Sequence, residues 1–126
     1  MTGFWSDSVT VLRPATKTNR AGEVELDYAA LEAAVRNGTA TGVPRSGVRV
    51  RPQTTTEIVD ADRSSTVTTW RIATRPFSGD WDVRPTDWIR LLSGEVTQVV
   101  GEVQRGTDPV SGSLHHIELD VRKVLG

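Results

Sequence analysis

The chain contains no cysteine, and that absence removes disulfide staples, thiolate nucleophiles and cysteine zinc sites together. Its folded state must come from packing, and from neighbours where it has them. No apolar run exceeds a few residues, whereas a membrane-spanning helix takes about 20, so no membrane partner is expected. The opening residues MTGFWSDS lack a basic stretch followed by an apolar one, so no secretory signal is expected and synthesis in a cytoplasm is the natural reading. An excess of one charge is missing too. Fifteen basic and sixteen acidic residues sum to -1, which disfavours a protein that clamps nucleic acid through a broad basic face. Lysine is scarce, with only Lys17 and Lys123, a bias that a G+C-rich genome produces without structural cause. The 126 residues, 37% of them hydrophobic, suffice for one domain with one modest core.

What is present is mostly β-pattern. Ser8 to Arg13 (SVTVLR) alternates β-branched and other residues until Pro14, and Glu23 to Tyr28 (EVELDY) alternates again. The two read as a hairpin joined by the polar stretch Ala15 to Gly22. Tyr28 to Arg36 (YAALEAAVR) has helix-forming composition, with Leu31, Ala34 and Val35 able to share a face. Asn37 to Gly47 is rich in Gly, Thr and Pro and reads as an exposed, mobile connector. Further strands follow at Val48 to Pro52, with Val48 and Val50 inward, and at Thr66 to Arg75, with Thr68, Trp70 and Ile72 on one face. Trp88 to Leu92, Glu95 to Gly101 and Leu114 to Val124 complete the set, separated by turn signals at 92–94 and 108–112. Strands this regularly spaced predict a mainly β fold: a small antiparallel β-barrel, or else a sandwich, with at most one short helix.

One segment stands apart. Gln53 to Ser65 (QTTTEIVDADRSS) lies between two strands and is too long for a tight turn. Folded back on itself it would reach about 20 Å from the domain at ~3.3 Å per residue. A long inter-strand loop of this kind is usually functional or disordered.

Motifs for chemistry are sparse. His115 and His116 are the only histidines, and strand alternation separates them, His115 with Ile117, Leu119 and Val121 and His116 with Glu118, Asp120 and Arg122. That disfavours a shared metal ion; no metal, cofactor or catalytic residue is assigned. Glu57, Asp60 and Asp62 lack the full spacing of a calcium loop. There is no G-x-S-x-G, P-loop or G-x-G-x-x-G, so an enzyme is disfavoured, a small hydrolase built on a histidine being the remaining enzymatic reading. Four tryptophans (Trp5, Trp70, Trp81, Trp88) raise an OB-like single-strand binder, but stacking platforms come with a basic groove. Trp70 and Trp88 are read as core and Trp5 as an anchor near a chain end.

The order of the motifs resembles the head-to-tail stopper proteins of long-tailed, siphovirus-like phages, also called head-completion or head closure proteins. The resemblance runs through Val9 to Pro14 (VTVLRP), Gly47 to Pro52 (GVRVRP) with Glu57 after it, Val67-Thr68-Thr69-Trp70, and Asp82 to Asp87 (DVRPTD) ahead of Trp88-Ile89. It continues from Gly94 to Gly101-Glu102 and from Gly112 to Glu118 (GSLHHIE), ending at Arg122-Lys123-Val124. Most of the chain is covered except about Tyr28 to Ser46. Thr97 departs from the pattern where an aromatic is expected, and Arg105 where a tryptophan often follows Gly-Glu.

The resemblance implies a non-enzymatic virion protein of the phage neck, assembled in the bacterial host cytoplasm. It implies a single domain over 1–126, with an N-terminal arm at 1–7, a flexible insert at 28–47 and the long loop at 53–65. Six or twelve copies would form a homo-oligomeric ring below the portal and head–tail adaptor and above a tail terminator or tail tube protein. The ring closes the channel on genomic double-stranded DNA without sequence-specific binding. By the same resemblance, Thr55, Thr56, Glu57, Ile58, Val59, Asp60, Ala61, Asp62 and Arg63 form the channel-gating loop, and Phe4 and Trp5 an interface arm. A tail terminator or an adaptor ring of the same neck is the alternative. A compact chain of this length has a radius of gyration of ~14 Å, so a gate for DNA needs several copies around an axis.

Overall fold

A computed structural model describes residues 5–60 and 63–125, and side chains outside 54–68 and before 125. It is mainly β, with six strands in a closed antiparallel barrel and one short helix. The barrel strands are β1 (Asp7–Leu12), β4 (Val43–Asp60), β5 (Arg63–Thr74), β6 (Trp88–Leu91), β7 (Val96–Thr107) and β8 (Leu114–Leu125), in the spatial order β1-β4-β5-β8-β7-β6. Pairing of Val9 with Leu91 through Leu12 with Trp88 closes β6 onto β1. Two short strands, β2 (Thr16–Thr18) and β3 (Val24–Leu26), form a separate ladder, and α1 spans Tyr28–Arg36.

Alternation along β1 sends its side chains to two opposite faces. Val9 and Val11 face a core with Val48, Ile72, Ile89, Ile117, Leu119 and Val121, and the barrel interior is filled with side chains. Leu12 faces the opposite way, outside the barrel, where it meets Trp88, Val96 and Leu31. Both edges of β1 are taken, one by β4 and one by β6, which corrects the expected hairpin of β1 with Glu23 to Tyr28. The hairpin there is instead the local β2/β3 pair, whose residues are mostly exposed.

Within the expected flexible insert at 28–47 lie α1 and the first residues of β4, with 37–42 between them in neither helix nor strand. Asp27 caps α1, its carboxylate accepting from the Ala30 N–H at 3.0 Å. Leu31 and Val35 lay the helix on the outer wall of the barrel, and Tyr28 stacks on Trp88 with centroids 5.6 Å apart. Val43 to Ser46 pair with β1 as the start of β4, although they include Pro44. Proline is tolerated there because β5 pairs with β4 only from Val48 onward, leaving that edge without a ladder to interrupt. Gly47, at φ +70°, forms a bulge between Ser46 and Val48. Asp7, assigned to the arm, is already the first residue of β1.

Candidate functional site

The segment expected to be a long loop is a two-stranded arm. β4 and β5 stay in register from Val48↔Thr74 through Gln53↔Thr69 and Thr54↔Thr68 to Ile58↔Ser64 and Asp60↔Arg63, with one irregularity at Val59. β1 pairs with β4 no further than Val48, and β8 pairs with β5 no further than Thr69. From Thr54 to Asp60 the arm therefore has no third strand among the described residues, and at ~3.3 Å per residue it extends about 23 Å. The physical reason is composition. TTTEIV and SSTVTT are rich in β-branched residues, and neither glycine nor proline occurs between Gln53 and Arg75 to stop the ladder.

Of the expected gating residues, Thr55, Thr56, Glu57, Ile58, Val59 and Asp60 lie on β4 and Arg63 on β5. Ala61 and Asp62 lie outside the described residues, as does Phe4. Trp5 is half-buried, with the Arg49 guanidinium of β4 5.5 Å from its ring centroid. Where the arm leaves the barrel, Val50, Pro52, Trp70, Leu91 and Leu92 line a cleft of about 220 Å³.

The motif pieces VTVLRP and DVRPTDWI meet in one ionic cluster. Arg13, just beyond β1, donates from Nε and Nη2 to both carboxylate oxygens of the fully buried Asp87, at 3.0 and 2.9 Å. The Arg84 N–H donates to the same carboxylate at 2.8 Å. Arg13 Nη1 donates to Asp82 at 2.9 Å, and this hydrogen bond holds the Asp82 carboxyl below its ordinary value. The same pairings raise the Arg13 guanidinium further above its own. Beside the cluster, burial and then the Asp87 charge push the Tyr28 hydroxyl up; it donates to the Thr86 carbonyl at 2.6 Å. Every member has a structural partner, so the cluster fixes the loop before β6.

Thr97 and Arg105, each standing where the resembled pattern has an aromatic, also have structural partners. Thr97 is buried and its hydroxyl donates to the Ile89 carbonyl at 2.8 Å, tying β7 to β6. Arg105 reaches Asp80 at 3.1 Å and the Trp81 and Val83 carbonyls, so it holds a loop that carries an aromatic plug into the barrel mouth. That plug is Trp81, 5% exposed and part of the barrel core. Core tryptophans were expected at Trp70 and Trp88. Trp88 is buried, Trp70 is half-buried against the core, and Trp81 carried no strand signal to identify it.

The histidine expectation is corrected as well. The two rings are on the same side, with Nδ1 atoms 2.8 Å apart. His116 opposes Gly106 while Leu114 opposes Thr107, so His115 is the extra residue of a bulge, and a bulge suspends strand alternation. Gly106 makes room for the ring: a Cβ there would lie 2.8 Å from His116 Cε1, and the ring would have to shift. His116 Nε2 sits 3.4 Å from Glu118, and among the described residues no serine hydroxyl contacts either ring. Among the described residues no cluster of three or more His, Cys, Asp or Glu is placed to hold a metal ion, and no helix is long and apolar enough to cross a membrane.

No protein-family model matches the chain, and no curated protein matches its sequence.

Proposed function

We propose that the protein is a structural component of a phage neck, a stopper subunit that assembles into a ring and closes the DNA channel with its arm. The observation that carries this reading is the two-stranded arm projecting about 23 Å from a barrel whose interior is filled. A filled barrel has no lumen of its own, so a channel belongs to a ring of copies, with the arms directed at the axis. Three acidic residues, Glu57, Asp60 and Asp62, against the single basic Arg63 keep the arm net negative. Such an arm obstructs a polyanion without binding it, so DNA leaves once the arms move. Ile58 and Val59 supply apolar contacts between copies in the closed state, and Phe4 and Trp5 dock on an adjacent subunit or on the adaptor above. The order of motifs supports the stopper over a tail terminator or adaptor ring, and the single short helix disfavours an adaptor built on a helical bundle.

The test is deletion of Thr55 to Arg63 in the phage. The expected particles package DNA and then leak it; full retention of the genome by particles that carry the truncated ring overturns the gate. Phe4→Ala combined with Trp5→Ala is expected to reduce head–tail joining, counted as free heads and tails by electron microscopy, and intact joining removes the docking role.

A further inference from the structure

Arg45 was expected in a mobile connector, yet it stands on the core side of β4, opposite the buried Val9. Antiparallel partners share a face of the sheet, so the side chain enters the barrel mouth. Its guanidinium carbon lies 6.0 Å from the Trp81 ring centroid, at the outer limit of a cation–π contact. Two cavities flank it: one of about 430 Å³ that it shares with Arg13 and Asp82, and one of about 90 Å³ that it shares with Trp81, Ser78, Thr74 and Asp80, whose carboxylate is taken by Arg105. Arg45 Nε and Trp81 Nε1 are the buried side-chain polar atoms without a hydrogen-bond partner among the described residues. Trp81 is 95% buried, since only 5% of it is exposed, and its Nε1 is buried with it. A buried donor left unmatched destabilises the fold.

The neighbouring charges are already matched to one another. Arg13 and Arg84 lie on Asp82, Arg13 is also bidentate on Asp87, and Arg105 lies on Asp80. Four arginines against three aspartates leave one positive charge over, and it belongs to Arg45. Arg45 Nε beside the indole N–H, neither with an acceptor in hydrogen-bond reach among the described residues, fits an anion with two oxygens.

We propose that Arg45 and Trp81 form a carboxylate-binding site at the mouth of the barrel. The carboxylate comes from an Asp or Glu side chain of a second copy of the chain or from a small free acid. It draws the guanidinium off the indole face and accepts from Arg45 and from the uncovered Trp81 N–H. The site stands on its own geometry and does not depend on the neck reading.

The experiment is a titration of the ¹⁵N-labelled full chain with sodium acetate at neutral pH, following the four tryptophan indole N–H signals, with sodium chloride at matched ionic strength as the control. The Trp81 signal, assigned with Trp81→Phe, is expected to move downfield and saturate with acetate but not with chloride. In Arg45→Gln the apparent affinity is expected to fall about tenfold or more, and in Arg45→Lys by less, because an ammonium keeps the charge without the fork. A Trp81 signal that ignores acetate, follows chloride equally, or moves unchanged in Arg45→Gln overturns the site. Should Arg45→Gln not fold, Trp81→Phe serves: acetate is expected to raise the melting temperature of the parent more than that of the variant, and equal rises overturn the proposal. Dilution separates the two sources. A Trp81 signal already downfield in concentrated protein, returning upfield on dilution, assigns the carboxylate to a second copy; a concentration-independent signal that moves with acetate assigns a free acid.

Discussion

Asp87 shows most directly how single residues in this chain are committed. A fully buried carboxylate is held by three hydrogen bonds, two of them from Arg13, and an unpaired buried charge is among the most costly defects a fold can carry. Arg13→Gln is therefore expected to lower stability by about 2–3 kcal/mol, less than a fully enclosed pair because Arg13 is partly open to water. Urea unfolding measures it. Asp82 acts in a defined direction with pH. Its folded value lies below the ordinary 3.8 because of Arg13, so its contribution is present above about that pH and is lost as the pH falls through the folded value. Between pH 6 and pH 3 the urea midpoint of the parent is expected to fall further than that of Asp82→Asn. Neither role was legible beforehand, because Arg13 and Asp87 are 74 positions apart and only barrel closure brings β1 beside β6.

At the scale of elements, the strands and the helix were readable because each carries its own periodicity. Tyr28 to Arg36 reads as helix and is helix over those residues, since Leu31 and Val35 fall on one face of two turns. Leu31→Ala is expected to cost about 2 kcal/mol, at the low end for a core leucine because the cluster it enters lies on the barrel's outer wall, and to lower the melting temperature by several degrees. The arm was located but misread as a loop, because no tight-turn signal marks its tip and a ladder depends on a partner strand that periodicity does not name. An arm with two strands and no third contributes little to global stability. Replacing Thr55 to Arg63 by a two-residue turn is expected to leave the melting temperature within a few degrees of the parent. A large drop in a thermal melt would instead place the arm in the barrel's folding unit.

For the whole molecule, near neutrality is the property that bears on function. A net charge of -1 disfavours a broad phosphate-binding face, so association with DNA is expected to be undetectable at physiological salt in a duplex mobility shift. In the neck reading, the arm's acidic residues let DNA pass once the gate opens. Glu57→Lys, Asp60→Lys and Asp62→Lys together are expected to slow genome ejection from triggered particles, most at low salt. Ejection at the parental rate at all salt concentrations removes the electrostatic part of the mechanism.

The sequence by itself determined that this chain is cysteine-free and mainly β, where its helix and the centres of most barrel strands lie, and which stretch departs from ordinary barrel connections. Those properties follow from local alternation and composition, which act within a few residues. Only the tertiary structure decided that β1 lies between β4 and β6, that Trp81 enters the barrel core, that Arg45 faces inward with its Nε unmatched among the described residues, and that a bulge at His115 brings two rings together. Each depends on which strands pair and in what register, and register is set by closure of the whole sheet around a filled core.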